Sequence, residues 1–203
     1  MKNNYVRLSG VIDEPFTKFK VKDDIYYKGF IRIPRKSNLV DIIPVTIPAR
    51  LAPNGINQCY LTIEGEYRSS NKIVDGKNRL LLSVFAKSIL ENRTEIYENI
   101  VKLIGFIGKE PIYRETPRKR RICDIMLAVN RNNKKSDYIP LIVWDSLADN
   151  INDYFVGSEL AIEGRIQSRE YQKNGETRVA YEVSVNWIQP NISEFEPLEE
   201  IEL

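Results

Sequence analysis

The sequence predicts an all-β chain of two tandem five-stranded barrels, each with at most one short helix. Three observations carry this. A unit of roughly a hundred residues occurs twice, apolar and polar residues alternate in short runs broken by turns, and only one stretch has helical spacing. Asp41, Pro44 and Arg35 return as Asp137, Pro140 and Arg131 at one constant offset. Leu61-Thr62-Ile63-Glu64-Gly65 recurs as Leu160-Ala161-Ile162-Glu163-Gly164, and Gly76 and Arg79 as Gly175 and Arg178. Gly10, Glu14 and Pro15 have counterparts in Gly105, Glu110 and Pro111. The expected division is a first domain over 1–92, a second over 99–189 and an acidic tail over 190–203, with 91–98 as the polar connection.

In the second half, strands are expected near 100–107, 122–131, 137–143, 159–169 and 178–187, where Ile, Val, Tyr and Phe concentrate between turn residues. Residues 145–155 read as the one helix. Leu147, Ile151 and Tyr154 fall at i, i+4 and i+7 behind Asp145, a residue suited to a helix start. In the first half the corresponding stretch, 49–58, holds Pro53 and Gly55, so its helix should be short or missing. Asp75-Gly76 and Asn174-Gly175 are hairpin turns between the last two strands of each repeat. Five strands with one helix between the third and fourth is the order of an OB fold, a Greek-key barrel used on oligonucleotides and oligosaccharides.

Composition narrows the chemistry. Histidine is absent, which removes the commonest general base and transition-metal ligand. Two cysteines, Cys59 and Cys123, at non-equivalent points of the repeat suit buried reduced thiols better than a bridge or a zinc site. Acidic residues are scattered singly, so neither a catalytic site, a metal site nor a cofactor is expected. No stretch is long and apolar enough to span a bilayer, and the start Met1-Lys2-Asn3-Asn4 is polar. A cytoplasmic, nucleoid-associated protein without membrane contact is expected. The net charge of +2 hides five glutamates and no Lys or Arg after residue 190, so the rest of the chain is basic and suits an anionic partner.

Strand alternation separates core from surface. Ile139, Leu141 and Val143 should face inward, with Tyr138, Pro140, Ile142 and Trp144 outward; Leu160, Ile162, Gly164 and Ile166 should face inward, with Glu163, Arg165, Gln167, Arg169 and Tyr171 outward. Rings interleaved with guanidinium groups suit an unpaired strand, since cations neutralise phosphates and each base stacked on a ring contributes roughly 1–3 kcal/mol. The run Arg118-Lys119-Arg120-Arg121 lies in the loop before the second strand as a phosphate-binding rim, with Arg131 and Lys134 further candidates.

The second half resembles the bacterial single-stranded DNA-binding protein family over 101–189. The resemblance rests on Lys102-Leu103-Ile104-Gly105, Leu127-Ala128-Val129-Asn130-Arg131, Asp137-Tyr138-Ile139-Pro140-Leu141-Ile142-Val143-Trp144 and the run from Ile162 to Tyr171. It implies base-stacking roles for Tyr138, Trp144 and Tyr171, while Asn133 stands near a position often aromatic in the family. The first half has Ile42, Pro48 and Lys72 at the three ring positions and Glu66 at the position of Arg165. Its face is therefore expected to be depleted, with Phe30, Arg32, Arg35, Arg68 and Lys72 as remaining candidates and Tyr26 and Tyr27 just before its second strand.

The implied function is sequence-tolerant coating of single-stranded DNA in replication, recombination or repair, without catalysis. The family commonly assembles four barrels, which a chain with two would reach as a homodimer. Phe195, Leu198, Ile201 and Leu203 among the tail glutamates are candidates for docking a replication or repair enzyme. The alternatives are a single-stranded RNA or tRNA module and an OB-fold structural subunit of a replication or primosome assembly.

Overall fold

The computed structural model describes residues 3–74, 76–117, 119–151, 154–173 and 175–190. The first barrel comprises β1 (Asn4–Ile12), β3 (Asp24–Pro34), β4 (Val40–Pro48), β5 (Cys59–Val74) and β6 (Lys77–Asn92), with an edge strand β2 (Thr17–Val21) paired to β3. The second comprises β7 (Glu98–Ile107), β9 (Arg121–Asn130), β10 (Ser136–Trp144), β11 (Glu159–Lys173) and β12 (Glu176–Pro190), with an edge strand β8 (Ile112–Glu115) on β9. The edge strands were not expected from the sequence. Each barrel closes the same way: β3 meets β1 at Arg32 and Val11, β9 meets β7 at Leu127 and Ile107, and β4–β6 and β10–β12 pair in parallel.

Closure demands close backbone approach, which explains one pair of repeated glycines. A Cβ on Gly10 would lie 2.4 Å from the Arg32 carbonyl oxygen, and one on Gly105 would lie 2.5 Å from that of Ala128. Any side chain there would push the first strand off the third.

The helical expectation fails in part. Among the described residues of 145–155 only Asp145–Asp149 is helical, and no side chain caps its start. Asn150 and the following Asn152 and Asp153 are weak helix formers, while Leu147, Ile151 and Tyr154 still pack against the core. In the first barrel a single 3-10 turn, Ala49–Leu51, occupies the equivalent place.

The barrels join through their first strands. β1 and β7 pair antiparallel from Asn4 opposite Leu103 to Ser9 opposite Glu98. Val6 faces Val101, its own counterpart in the repeat, and both are fully buried. A pseudo-two-fold axis therefore passes between them, so one chain contains an isologous interface that two identical subunits would make. Strands β6-β5-β1-β7-β11-β12 form one continuous sheet, and a single apolar core runs through both halves.

Candidate nucleic-acid interface

On β10, Ile139, Leu141 and Val143 fill the core, while Tyr138 stands 45% exposed and Trp144 is half-buried on the outer side. The two rings are six residues apart on one strand, roughly 20 Å. Trp144 is held in place: its indole Nε1 donates to Ser184 Oγ at 3.2 Å, and the Arg120 guanidinium sits 4.3 Å from its ring centroid. Arg120 also pairs with Asp145 at 2.8 Å, a bond that holds the Asp145 carboxyl below the usual range, and Arg121 pairs with Asp149 at 2.6 Å. The β8–β9 hairpin thus folds its basic run against Trp144. Lys119 takes the left-handed conformation at the hairpin tip (φ 60°), with its N–H bonded to the Thr116 carbonyl. Arg118 lies outside the described residues. Arg120 covers one face of Trp144 by cation–π attraction, so a base can stack on the ring by replacing the guanidinium or by using the opposite face.

Tyr171 lies further out on β11, opposite Arg178 on β12, with Arg169 5.9 Å from its ring centroid. Lys134, exposed at φ 60°, occupies the turn between β9 and β10.

Four of the expected phosphate contacts have a different task. Arg131 Nε donates to Asp137 at 2.7 Å, and its other nitrogen reaches the Ser69 carbonyl of the first barrel. Arg35 Nε donates to Asp41 at 2.8 Å and reaches the Ser168 carbonyl of the second barrel. Asp41 and Asp137 are 1% and 0% exposed, and each accepts the N–H of that same serine, Ser168 and Ser69 respectively. Arg165 adds a 3.1 Å pair to Asp41, and Arg68 a 3.2 Å pair to Asp137. Burial, with Arg35 nearby, pulls the Arg165 guanidinium below its ordinary value. These four guanidinium groups lock the barrels together. Gln167 corrects the outward reading as well: it points away from its own core but is buried, donating to Glu182 at 2.7 Å. Ile142, also expected outward, is buried beside the parallel partner β12.

In the first barrel, Phe30 is 50% exposed, Arg32 pairs with Asp13 at 3.0 Å, and Lys72 is exposed on the β5–β6 hairpin. Tyr27 belongs to the core, filling space beside Gly55. The unexpected feature is a ring cluster. Phe19 on β2 stacks on Tyr26 at 5.6 Å, Tyr26 meets Phe85 on β6 at 6.1 Å, and Lys28 and Lys87 lie over Phe19 and Phe85 at 5.8 and 5.4 Å. The signal was present in the sequence as Tyr26, Lys28, Phe30 and Arg32 on alternate positions of one strand.

A groove of about 1630 Å³ runs along this face and reaches Asn133, Tyr171 and Arg178 of the second barrel. Among the described residues no cluster of three or more Asp, Glu or Cys could hold a metal ion. Burial pushes the Cys123 thiol up to about 11 and raises that of Cys59, which keeps both protonated and unreactive. The rings and cations of these faces can stack on flat groups and neutralise anions.

The model of the single-strand binding protein family matches residues 98–191. Single-stranded DNA-binding protein 1 of Staphylococcus aureus is 38% identical over 88 residues, 40% of this chain and 53% of that protein. Single-stranded DNA-binding protein 1 of Streptococcus pyogenes is 36% identical over 88 residues, 40% of this chain and 68% of that protein. The chain spans about half the length of the first of these relatives. The crystal structure of the wild-type single-stranded DNA binding protein from Thermus aquaticus covers 92% of this chain and of its own, with a TM-score of 0.71 at 19% identity, and so shares the tandem fold. On the matched second barrel and its identity to these relatives, the chain belongs to the single-strand binding protein family.

Proposed function

We propose that the chain binds and coats single-stranded DNA with little sequence preference, without catalysis, in replication, recombination or repair within the cytoplasm. The observation that carries this reading is Trp144 on the outer face of β10 with Arg120 stacked upon it and Lys119 and Arg121 flanking Arg120 in the chain. Tyr138 and Tyr171 extend the path, and relatives sharing this barrel are named for the same ligand. Cations capture the backbone, and rings hold successive bases. Residues 99–189 form the principal binding domain, and 1–92 the diverged one. Titrating tryptophan fluorescence with oligo-dT, oligo-rU and duplex DNA over a salt series tests this. Saturable quenching by oligo-dT that weakens with salt supports it; equal or stronger response to oligo-rU or duplex overturns it.

The assembled particle is a homodimer with four barrels. Leu90, Ile100 and Trp187 are exposed on one outer face of the six-stranded continuous sheet and offer a surface to a second copy. Light scattering that returns one chain of 23.6 kDa at every concentration rejects it. The tail, which lies outside the described residues, docks partner enzymes through Phe195, Leu198, Ile201 and Leu203, and its five glutamates compete with DNA for the basic face. Deleting residues 194–203 raises DNA affinity modestly at low salt, and replacing Phe195, Leu198 and Ile201 with Ser removes partner capture while leaving DNA binding intact. Unchanged affinity and unchanged capture reduce the tail to a solubilising end.

A further inference from the structure

The first barrel has lost the three rings its repeat partner carries, yet it presents others at different positions. Trp144 stands at the end of β10, and the β12 residue that bonds it is Ser184. In the first barrel the Trp144 position is Pro48, and the Ser184 position is Phe85, fixed by equivalent parallel pairings of Thr46 with Phe85 and Ile142 with Ser184. The ring has moved one strand over. Pro48 lies opposite Tyr26 on β3, which leaves room for the Tyr26 ring to bridge Phe19 and Phe85.

The outer face of β3 completes the surface. Tyr26, Lys28, Phe30 and Arg32 alternate along it, whereas the matching positions of β9 are Ile122, Asp124, Met126 and Ala128. The inner side of β3 supports this arrangement: Gly29 leaves space for the Phe16 ring, since a Cβ there would lie 2.2 Å from Phe16 Cδ1. Lys28 and Lys87 are exposed along the groove described above, Lys87 3.5 Å from Glu66, and Tyr171 of the second barrel lines the same groove.

We infer that this groove is a second single-strand site, in which Phe19, Phe30 and Phe85 stack bases and Lys28 and Lys87 meet phosphates, on a strand that continues from Tyr171. Rings half-open to solvent with ammonium groups over them suit bases and phosphates together, and the shared wall fixes where the strand enters. The inference rests on the proposed binding of single-stranded DNA and adds a path for it.

The test uses the full chain, the double variant Phe30→Ala/Phe85→Ala, and dT oligomers of about 8 and about 32 nucleotides, the shorter within reach of one barrel and the longer of two. The expected result is unchanged affinity for the short oligomer and about tenfold or greater loss for the long one, with fewer nucleotides occluded per chain. Phe30→Tyr alone should retain wild-type binding of the long oligomer. Unchanged affinity and occlusion for the long oligomer overturn the inference while the proposed function stands. If the wild-type chain binds neither oligomer, the proposed function itself has failed. Lys28→Gln/Lys87→Gln, both at exposed side chains, gives a second readout: the salt slope for the long oligomer should become shallower by roughly 1.4, and an unchanged slope also counts against the site.

Discussion

The rings assigned to a bound strand lie on β2, β3 and β6 in the first barrel and on β10 and β11 in the second, although one repeated pattern builds both. What the repeats retain is the frame. The Arg35–Asp41 pair grips Ser168 across the axis as Arg131–Asp137 grips Ser69, and Asn4 bonds the Tyr67 backbone as Asn99 bonds that of Ile166. What they vary is the outer face. A duplicated chain is freed from identity between its two halves, so one barrel can hold the relatives' pattern while the other builds a different surface on the same buried contacts.

If the frame is symmetric, breaking either lock should cost the same. Asp137→Ala leaves Arg131, Arg68 and the Ser69 N–H without their shared acceptor, and Asp41→Ala does so for Arg35, Arg165 and the Ser168 N–H. Each should lower unfolding free energy by about 3–5 kcal/mol. Urea titration checks this, and costs that differ by more than about 2 kcal/mol between the two break the symmetry argument.

Loss of the cation on Trp144 should outweigh loss of an exposed cation on the 3-10 turn of the first barrel. Arg120→Ala removes the group over Trp144 and should weaken single-strand affinity by about 0.5–1 kcal/mol and reduce the salt slope by about 0.7. Arg50→Ala, an exposed arginine on the 3-10 turn at the foot of the first barrel, should change neither. Fluorescence anisotropy with a labelled oligomer measures both.

The smallest effect concerns the seam. Arg7 on β1 pairs with Glu98 on β7 at 2.8 Å and with Glu64 on β5 at 2.6 Å, whereas the repeat's counterpart, Lys102, pairs with Glu163 within its own barrel at 2.6 Å. The Ser9 hydroxyl and Arg7 hold the Glu98 carboxyl below its ordinary value; Arg7 and the Tyr5 hydroxyl do so for Glu64. A carboxyl depressed in the folded state adds stability above its unfolded pKa, near 4.3, and that contribution is lost as pH falls through the folded value. Glu98→Gln should therefore cost about 0–1 kcal/mol at neutral pH and flatten the acid limb of a stability–pH curve below about pH 4.3. An acid limb identical to wild type removes the seam pair from the account.

Much of the frame was legible in the sequence because alternation is strict on half-buried strands: Ile139, Leu141, Val143, Leu160, Ile162 and Ile166 all fill the core as their parity requires. Parity reports which side of its own barrel a residue faces, and it says nothing of a second barrel covering that side. The four locking arginines therefore look ligand-facing from the sequence, since contacts 62 to 133 residues apart in the chain leave no local signal, and Gln167 looks so because alternation does not show its partner Glu182 on the neighbouring strand. The spacing over 145–155 overextends the helix because three apolar residues at that spacing can also reach the core from a helix of five residues. Phe85 is hidden for another reason: a ring transferred to a neighbouring strand does not fall at any ring position of the other repeat.

The central claim is that the second barrel's rings dominate capture of a short strand. It is tested most directly by titrating a labelled dT oligomer of about 8 nucleotides into three full-length proteins: wild type, Tyr138→Ala/Trp144→Ala/Tyr171→Ala, and Ile42→Ala/Pro48→Ala/Lys72→Ala at the equivalent positions. The account predicts a loss of about a hundredfold or more for the first triple variant and a change within about threefold for the second, at equal thermal stability. Equal losses in the two variants, or a larger loss in the second, would contradict it.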